Sequence, residues 1–180
     1  MKNKIKAAIN RNGYILTIGV DPAMSKPMGI AIIRYFPATM KTEPIITRTF
    51  AGTKHAEIVD FLESMKLFLA PDEVVAIGSE SSYRGQFPAI PYALGMSRGI
   101  IEGVAACQWK GIITEYFKVK EWRALAFGSG TVSKYDAFLT CNADFHRKEY
   151  PDATIIGELT EDASEAYHIA RATAIRLTSE

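Results

Sequence analysis

The chain has 180 residues, 48% of them hydrophobic and 23% charged, which is enough for one substantial core and too few for two ordinary domains. That balance excludes a disordered chain, and no apolar run nears the ~20 residues of a bilayer-crossing helix. With 21 Lys+Arg against 20 Asp+Glu the formal charge is +1, which taken alone argues against a nucleic-acid binder.

The opening stretch, Met1 to Asn12, carries Lys2, Lys4, Lys6 and Arg11 without the apolar core of a secretory signal. Tyr14 to Val20 is apolar and β-rich, a buried strand that ends at Asp21-Pro22. Met28 to Phe36 follows as a second strand and Ile45 to Phe50 as a third, at the spacing of an antiparallel meander. Ile58, Leu62, Met65 and Leu69 share one face of a helix from about His55 to Leu69, which Pro71 and Asp72 close. Glu73 to Ser79 reads as another buried strand, with Glu80 at its end.

A second helix is expected from about Pro88 to Gln108. Gly95, Gly99 and Gly103 recur along one of its faces. Each costs ~1 kcal/mol against Ala, so a second backbone is expected close to that face, from the sheet or from a dimer partner. Ile112 to Phe117 is a fifth strand. Val119 to Tyr150 is mostly helical, broken at Gly128-Ser129-Gly130. Thr160 caps a last helix whose small and apolar positions include Ala166, Ile169, Ala170, Thr173 and Leu177. A meander followed by alternating helices and strands implies a mixed five-stranded sheet flanked by helices, an α/β fold formed by residues 1–180 as a single domain.

Acidic residues fall at telling places. Asp21 ends the first strand, Glu80 ends the fourth, and Asp162 and Glu165 lie three apart on the last helix. If the two strands are neighbours and the helix packs on the sheet, the four carboxylates converge. They then need a cation, because like charges at close range raise one another's pKa. Hard divalent ions suit an all-oxygen set, and a pair ~4 Å apart serves phosphodiester hydrolysis. The same residues also fit a plain account: Asp is a common turn residue, and acids in a helix's first turn favour its dipole. Glu158 and Glu161 are neighbouring competitors.

Lys118, Lys120, Arg123 and Lys134 form a basic segment interleaved with Tyr116, Phe117 and Trp122, suited to phosphate contacts or to a solvated helix face. His55, His146 and His168 lack zinc spacing; His168, three residues past Glu165, is either a water-orienting group or a packed helix residue. Cys107 and Cys141 give no disulfide framework and point to a reducing, cytoplasmic setting, with Cys107 read as core.

Four blocks, in order, resemble the RuvC family of Holliday-junction resolvases, members of the RNase H-like nuclease superfamily. They are Ile15 to Ile33; Glu80-Ser-Ser-Tyr83 with the following Leu94-Gly-Met-Ser-Arg-Gly99; Gly128-Ser-Gly-Thr-Val-Ser-Lys134; and Asp162-Ala-Ser-Glu165-Ala. The resemblance implies an RNase H-like fold and Asp21, Glu80, Asp162 and Glu165 as catalytic, metal-binding acids. It implies two Mg²⁺ ions per site, with Mn²⁺ as a substitute, and no small-molecule cofactor. It further implies a homodimer that nicks opposed strands of a four-way DNA junction and leaves 5′-phosphate ends, in recombination or repair. Tyr83 matches an aromatic that stacks on bases at the junction centre, Arg84 beside it is placed to guide a strand, and Lys134 matches the family's lysine.

Four departures stand out: Ala23 replaces the usual Gly after Asp-Pro, the turn up to Gly29 is one residue longer, Glu165 replaces Asp, and the family's other basic position falls on Lys120, preferred by residue type and its Val-Lys dipeptide, or on Arg123 by its distance to Gly128. The alternatives are a related nuclease acting on other branched DNA or an RNA–DNA hybrid, and a junction binder without catalysis. Setting the four acids aside leaves 16 acids against 21 bases, so an acidic centre would lie within a basic surface.

Overall fold

A computed structural model describes residues 2–23, 27–51, 55–70, 73–81, 89–145 and 159–179. Five strands form one sheet: β1 (Ile15–Asp21), β2 (Pro27–Phe36), β3 (Lys41–Ala51), β4 (Val74–Glu80) and β5 (Ile113–Phe117). Their order is β3-β2-β1-β4-β5. The β1–β2 and β2–β3 pairs are antiparallel, and β1–β4 and β4–β5 are parallel. This is the expected meander joined to parallel strands. β3 begins before Pro44 rather than after it, because the strand lies at the sheet edge and a missing N–H is tolerated there.

Among the described residues six α-helices accompany the sheet: α1 (Lys2–Asn12), α2 (His55–Ser64), α3 (Ala89–Gln108), α4 (Val119–Phe127), α5 (Lys134–Phe145) and α6 (Glu161–Ser179). The opening residues, read above only for a signal, form α1. Ile5 and Ala8 are buried beside Ile15, Val75 and Leu177, and Gly13 at φ 75° closes the helix with its N–H on the Ile9 carbonyl. Pro71 and Asp72 lie outside the described residues, as does Pro88.

Strand alternation sorts the core onto two faces. Leu16, Ile18, Val20, Met28, Ile30 and Ile32 pack with Ile58, Leu62, Ile101 and Trp109 beneath α2 and α3. The opposite face carries Gly19, Gly29, Ala31 and Gly78 and receives α6. A Cβ on Gly19 would lie 2.5 Å from the Ala170 nitrogen and closer still to the Ala166 carbonyl. Gly29 stands in the same relation to Asp162 and Ala163, whereas Gly78 makes room for the Thr173 side chain. α6 therefore rests backbone to backbone on β2 and β1 and sets a side chain against β4, with Thr17 Oγ1 donating to the Ala170 carbonyl at 2.9 Å.

The glycine face of α3 is the reverse case. At Gly95, Gly99 and Gly103 a Cβ would meet nothing within 4 Å, so no backbone packs there among the described residues. Of the two coverings left open for this face, the sheet is not the one: α3 turns Ile101 and Ala105 to the sheet and its glycines away. Cys107 follows the same logic. Expected in the core, it is exposed on α3.

Candidate metal centre

The carboxyl ends of β1 and β4 lie side by side in the parallel part of the sheet, where α/β folds gather their ligands. Asp21 is the last residue of β1 and Glu80 the last of β4. α6 enters above Gly29, the β2 partner of Asp21, so its first turn overhangs the end of β1. Thr160 caps that turn, its Oγ1 accepting from the Ala163 N–H at 3.1 Å, while its hydroxyl lies 2.6 Å from that of Thr49 on β3.

Asp21, Asp162 and Glu165 each bring a carboxylate oxygen within 4.8 Å of the others. Glu80 stands outside that trio but within its electrostatic reach. Glu165 is 4% exposed, whereas Glu161 is exposed on the same first turn and Glu158 lies outside the described residues. Burial, reinforced by Glu165 and Glu80, pushes the Asp21 carboxyl up to about 8, although Lys134 opposes the rise. Burial also raises Glu80, against a hydrogen bond from Trp122. Three close carboxylates of this kind do not stay ionised together without compensating positive charge.

Part of that charge is supplied by the chain. Arg123 Nη2 lies 3.0 Å from Glu165 Oε1, and Lys134 Nζ lies 2.5 Å from Oε2. Burial works against the charge on Lys134, but the bond to Glu165 and the nearby acids outweigh it and raise its pKa. The local folding that delivers both bases is legible. Gly128 at φ 74° ends α4, Gly130 packs against the Lys120 backbone, and Ser133 caps α5 by accepting from the Asp136 N–H at 3.1 Å. The turn thus sets Lys134, first residue of α5, beside Arg123 of α4.

Of the two residues open to the family's basic position, Arg123 reaches the carboxylates. Lys120 is exposed and offers its backbone to Gly130, and Lys118 is exposed at the start of α4. Tyr83, Arg84 and the nearby Phe87 lie outside the described residues. His168 is a packed helix residue: it is fully buried, its Nε2 is 2.8 Å from the Ala137 carbonyl, and Phe127 lies 4.4 Å from its ring.

One contact was not foreseen. The indole N–H of buried Trp122 donates to Glu80 Oε2 at 3.1 Å. The available signal was chemical, since a buried indole needs an acceptor. Nothing in the sequence says which.

No protein-family model and no curated protein matches the sequence. Solved structures do match. RuvC of Thermus thermophilus superposes with a TM-score of 0.67 at 17% identity, over 92% of this chain and 96% of that one. The same organism's RuvC in complex with a Holliday junction substrate gives 0.64 at 16%, over the same shares. The fowlpox virus resolvase bound to Holliday junction DNA gives 0.50 at 15%, over 91% and 99%. A mixed five-stranded sheet in the order 3-2-1-4-5, flanked by helices, is thus RuvC-like in fold.

Proposed function

We propose that this chain is a divalent-metal-dependent endodeoxyribonuclease that resolves four-way DNA junctions, with residues 1–180 acting as one nuclease domain of a cytoplasmic homodimer. The observation that carries this reading is the trio of Asp21, Asp162 and Glu165 within 4.8 Å, at the strand ends of a RuvC-like fold. Its donors are all carboxylate oxygens, which favour Mg²⁺ or Mn²⁺ over zinc or copper. The raised pKa of Asp21 supports the fit, because a cation would relieve the repulsion that raises it. Asp21, Asp162 and Glu165, joined by Glu80, would hold two such ions. Bound there, they would supply Lewis-acid assistance to phosphodiester hydrolysis.

The chain's own cations have a second task in this reading. Lys134 is 54% exposed at its side chain and free to swing, so an incoming phosphate competes with Glu165 for it. Arg123, 16% exposed, would stay and anchor Glu165. Lys118 and Lys120 extend the basic surface outward, and Tyr83 and Arg84 remain the proposed contacts to the junction centre. Two opposed nicks need two sites, so a two-fold pair follows from the reaction. The uncovered glycine face of α3, which also exposes Met96, is the surface we assign to the second copy.

The test sets a labelled four-way junction beside a linear duplex and an RNA–DNA hybrid, each with Mg²⁺ or with chelator. Paired symmetric nicks in the junction alone, leaving 5′-phosphates, are expected. Asp21→Asn should bind the junction and leave it whole. Cleavage of the hybrid alone would replace junction resolution with an RNase H-type activity, and binding without cleavage in wild type would leave only a junction-binding protein.

A further inference from the structure

Two consecutive residues of α4 grip carboxylates from different parts of the sheet–helix frame. Arg123 bonds Glu165 of α6, and Trp122 bonds Glu80 of β4, each across 42 positions of sequence. Trp122 has no exposed surface and packs with Phe117, Ile169 and Ala172, so its ring is fixed by β5 and α6 together. Its single polar hydrogen is spent on Glu80 Oε2.

The two grips differ in kind. Glu165 is neutralised by two cations, whereas Glu80 receives a neutral donor that orients the carboxylate without compensating its charge. A glutamate has three rotatable side-chain bonds, and Glu80 is the proposed ligand that stands outside the trio of Asp21, Asp162 and Glu165. With Oε2 tethered to a rigid indole, the group is held in one direction and keeps its affinity for a cation.

We propose that Trp122 is a positioning residue for the divalent-cation site: its indole N–H holds Glu80 in the orientation in which that carboxylate takes up the ion. This rests on the metal reading above. It is separable from it, because the ion is held by other ligands as well.

Trp122→Phe keeps an aromatic ring in the cluster and removes only the donor. Mn²⁺ binding to the DNA-free protein is measured by calorimetry, beside thermal melts in chelator. W122F should raise the Mn²⁺ Kd by ~10–100-fold, the usual effect of losing a partner that orients a ligand. Phe117→Leu disturbs the same cluster without touching the N–H. It should lower Tm yet leave the Mn²⁺ Kd within about twofold, separating positioning from packing. In wild type, the indole ¹H–¹⁵N resonance of Trp122 should move during Mg²⁺ titration, while that of Trp109, on the other face of the sheet, stays fixed. W122F binding Mn²⁺ like wild type would overturn the role of Trp122 alone. A wild type that binds no Mn²⁺ would overturn the metal site and this role together.

Discussion

Gly29→Ala probes the contact that holds the first turn of α6, and with it Asp162, over the end of β1. Gly29 pairs with Asp21 across β1 and β2, directly beneath that turn. A Cβ there would lie 2.8 Å from the Ala163 nitrogen and nearer still to the Asp162 carbonyl. Ordinary contact begins near ~3.5 Å, so the turn must recede by about 0.7 Å at the farthest of these atoms. Both obstacles are backbone, so no side-chain rotation relieves the clash. Overpacking of this type costs ~1–3 kcal/mol, and we place G29A at the upper end, about 2–3 kcal/mol. For a chain of this size that is a fall in Tm of about 6–9 °C. Displacing Asp162 relative to Asp21 should also weaken Mn²⁺ binding, and junction cleavage should fall by ~10²-fold, as misplacements near 1 Å commonly produce. Urea unfolding, thermal melts and Mn²⁺ calorimetry measure the three effects. A variant that melts within a degree of wild type and binds Mn²⁺ equally well would refute the claim that glycine at 29 sets the height of the helix.

Four more outcomes are expected. Without metal, Asp21 keeps its proton up to about 8 in the native state but only to its ordinary 3.8 when unfolded, so its contribution to stability is lost as pH rises through that range. Asp21→Asn should therefore raise Tm in chelator at pH 8, and a lowered Tm would contradict the burial account. His168 acts at the other end: burial lowers its pKa to about 3 from 6.5, so the unfolded chain takes up a proton the native one refuses. Stability should thus decline as pH falls from 6.5 towards 3, a decline that a His168→Gln background should lessen in acid melts. Arg123→Gln should cost about 2–3 kcal/mol, below a fully buried broken pair because Lys134 remains, whereas Lys134→Gln at its exposed position should cost under ~1 kcal/mol; equal losses in denaturant titrations would sink that ranking. Finally, Gly99→Lys should convert a sedimenting dimer to monomer with little change in monomer stability, and an unchanged sedimentation coefficient would exclude α3 as the interface.

Local features were readable because local chemistry decides them. Continuous apolar, β-rich runs set β1 and β2; Ile58 and Leu62 set α2, although that helix stops at Ser64 and a 3₁₀ turn (Met65–Leu67) takes the place of the expected continuation to Leu69; and Thr160, Ser133 and Gly128 mark helix ends by bonds spanning three or four residues. The α1 helix is legible too, in the spacing of Ile5 and Ala8 and in Gly13, beneath a dense run of positive charge. The neighbourhood of β1 and β4 was only a condition of the sequence reading, because a meander leaves both β1 and β3 as open edges and the fold chose β1.

What pattern could not decide is which faces meet. Periodic glycines on α3 and scattered glycines on β1, β2 and β4 look alike as requests for a close backbone. Among the described residues only the strand set is covered, Gly19 and Gly29 by α6 backbone and Gly78 by the Thr173 side chain, because strand glycines share a face by register across different strands while helix spacing says nothing of what lies opposite. Which of Lys120 and Arg123 reaches Glu165 is of the same kind, decided by the rotation of α4 against α6. So is the bond from Trp122 to Glu80. Sequence by itself determined the elements, their caps and the acidic strand ends, since these depend on neighbours within a turn. Tertiary structure alone decided which base meets which acid and which face stays bare, since those depend on contacts between residues dozens of positions apart.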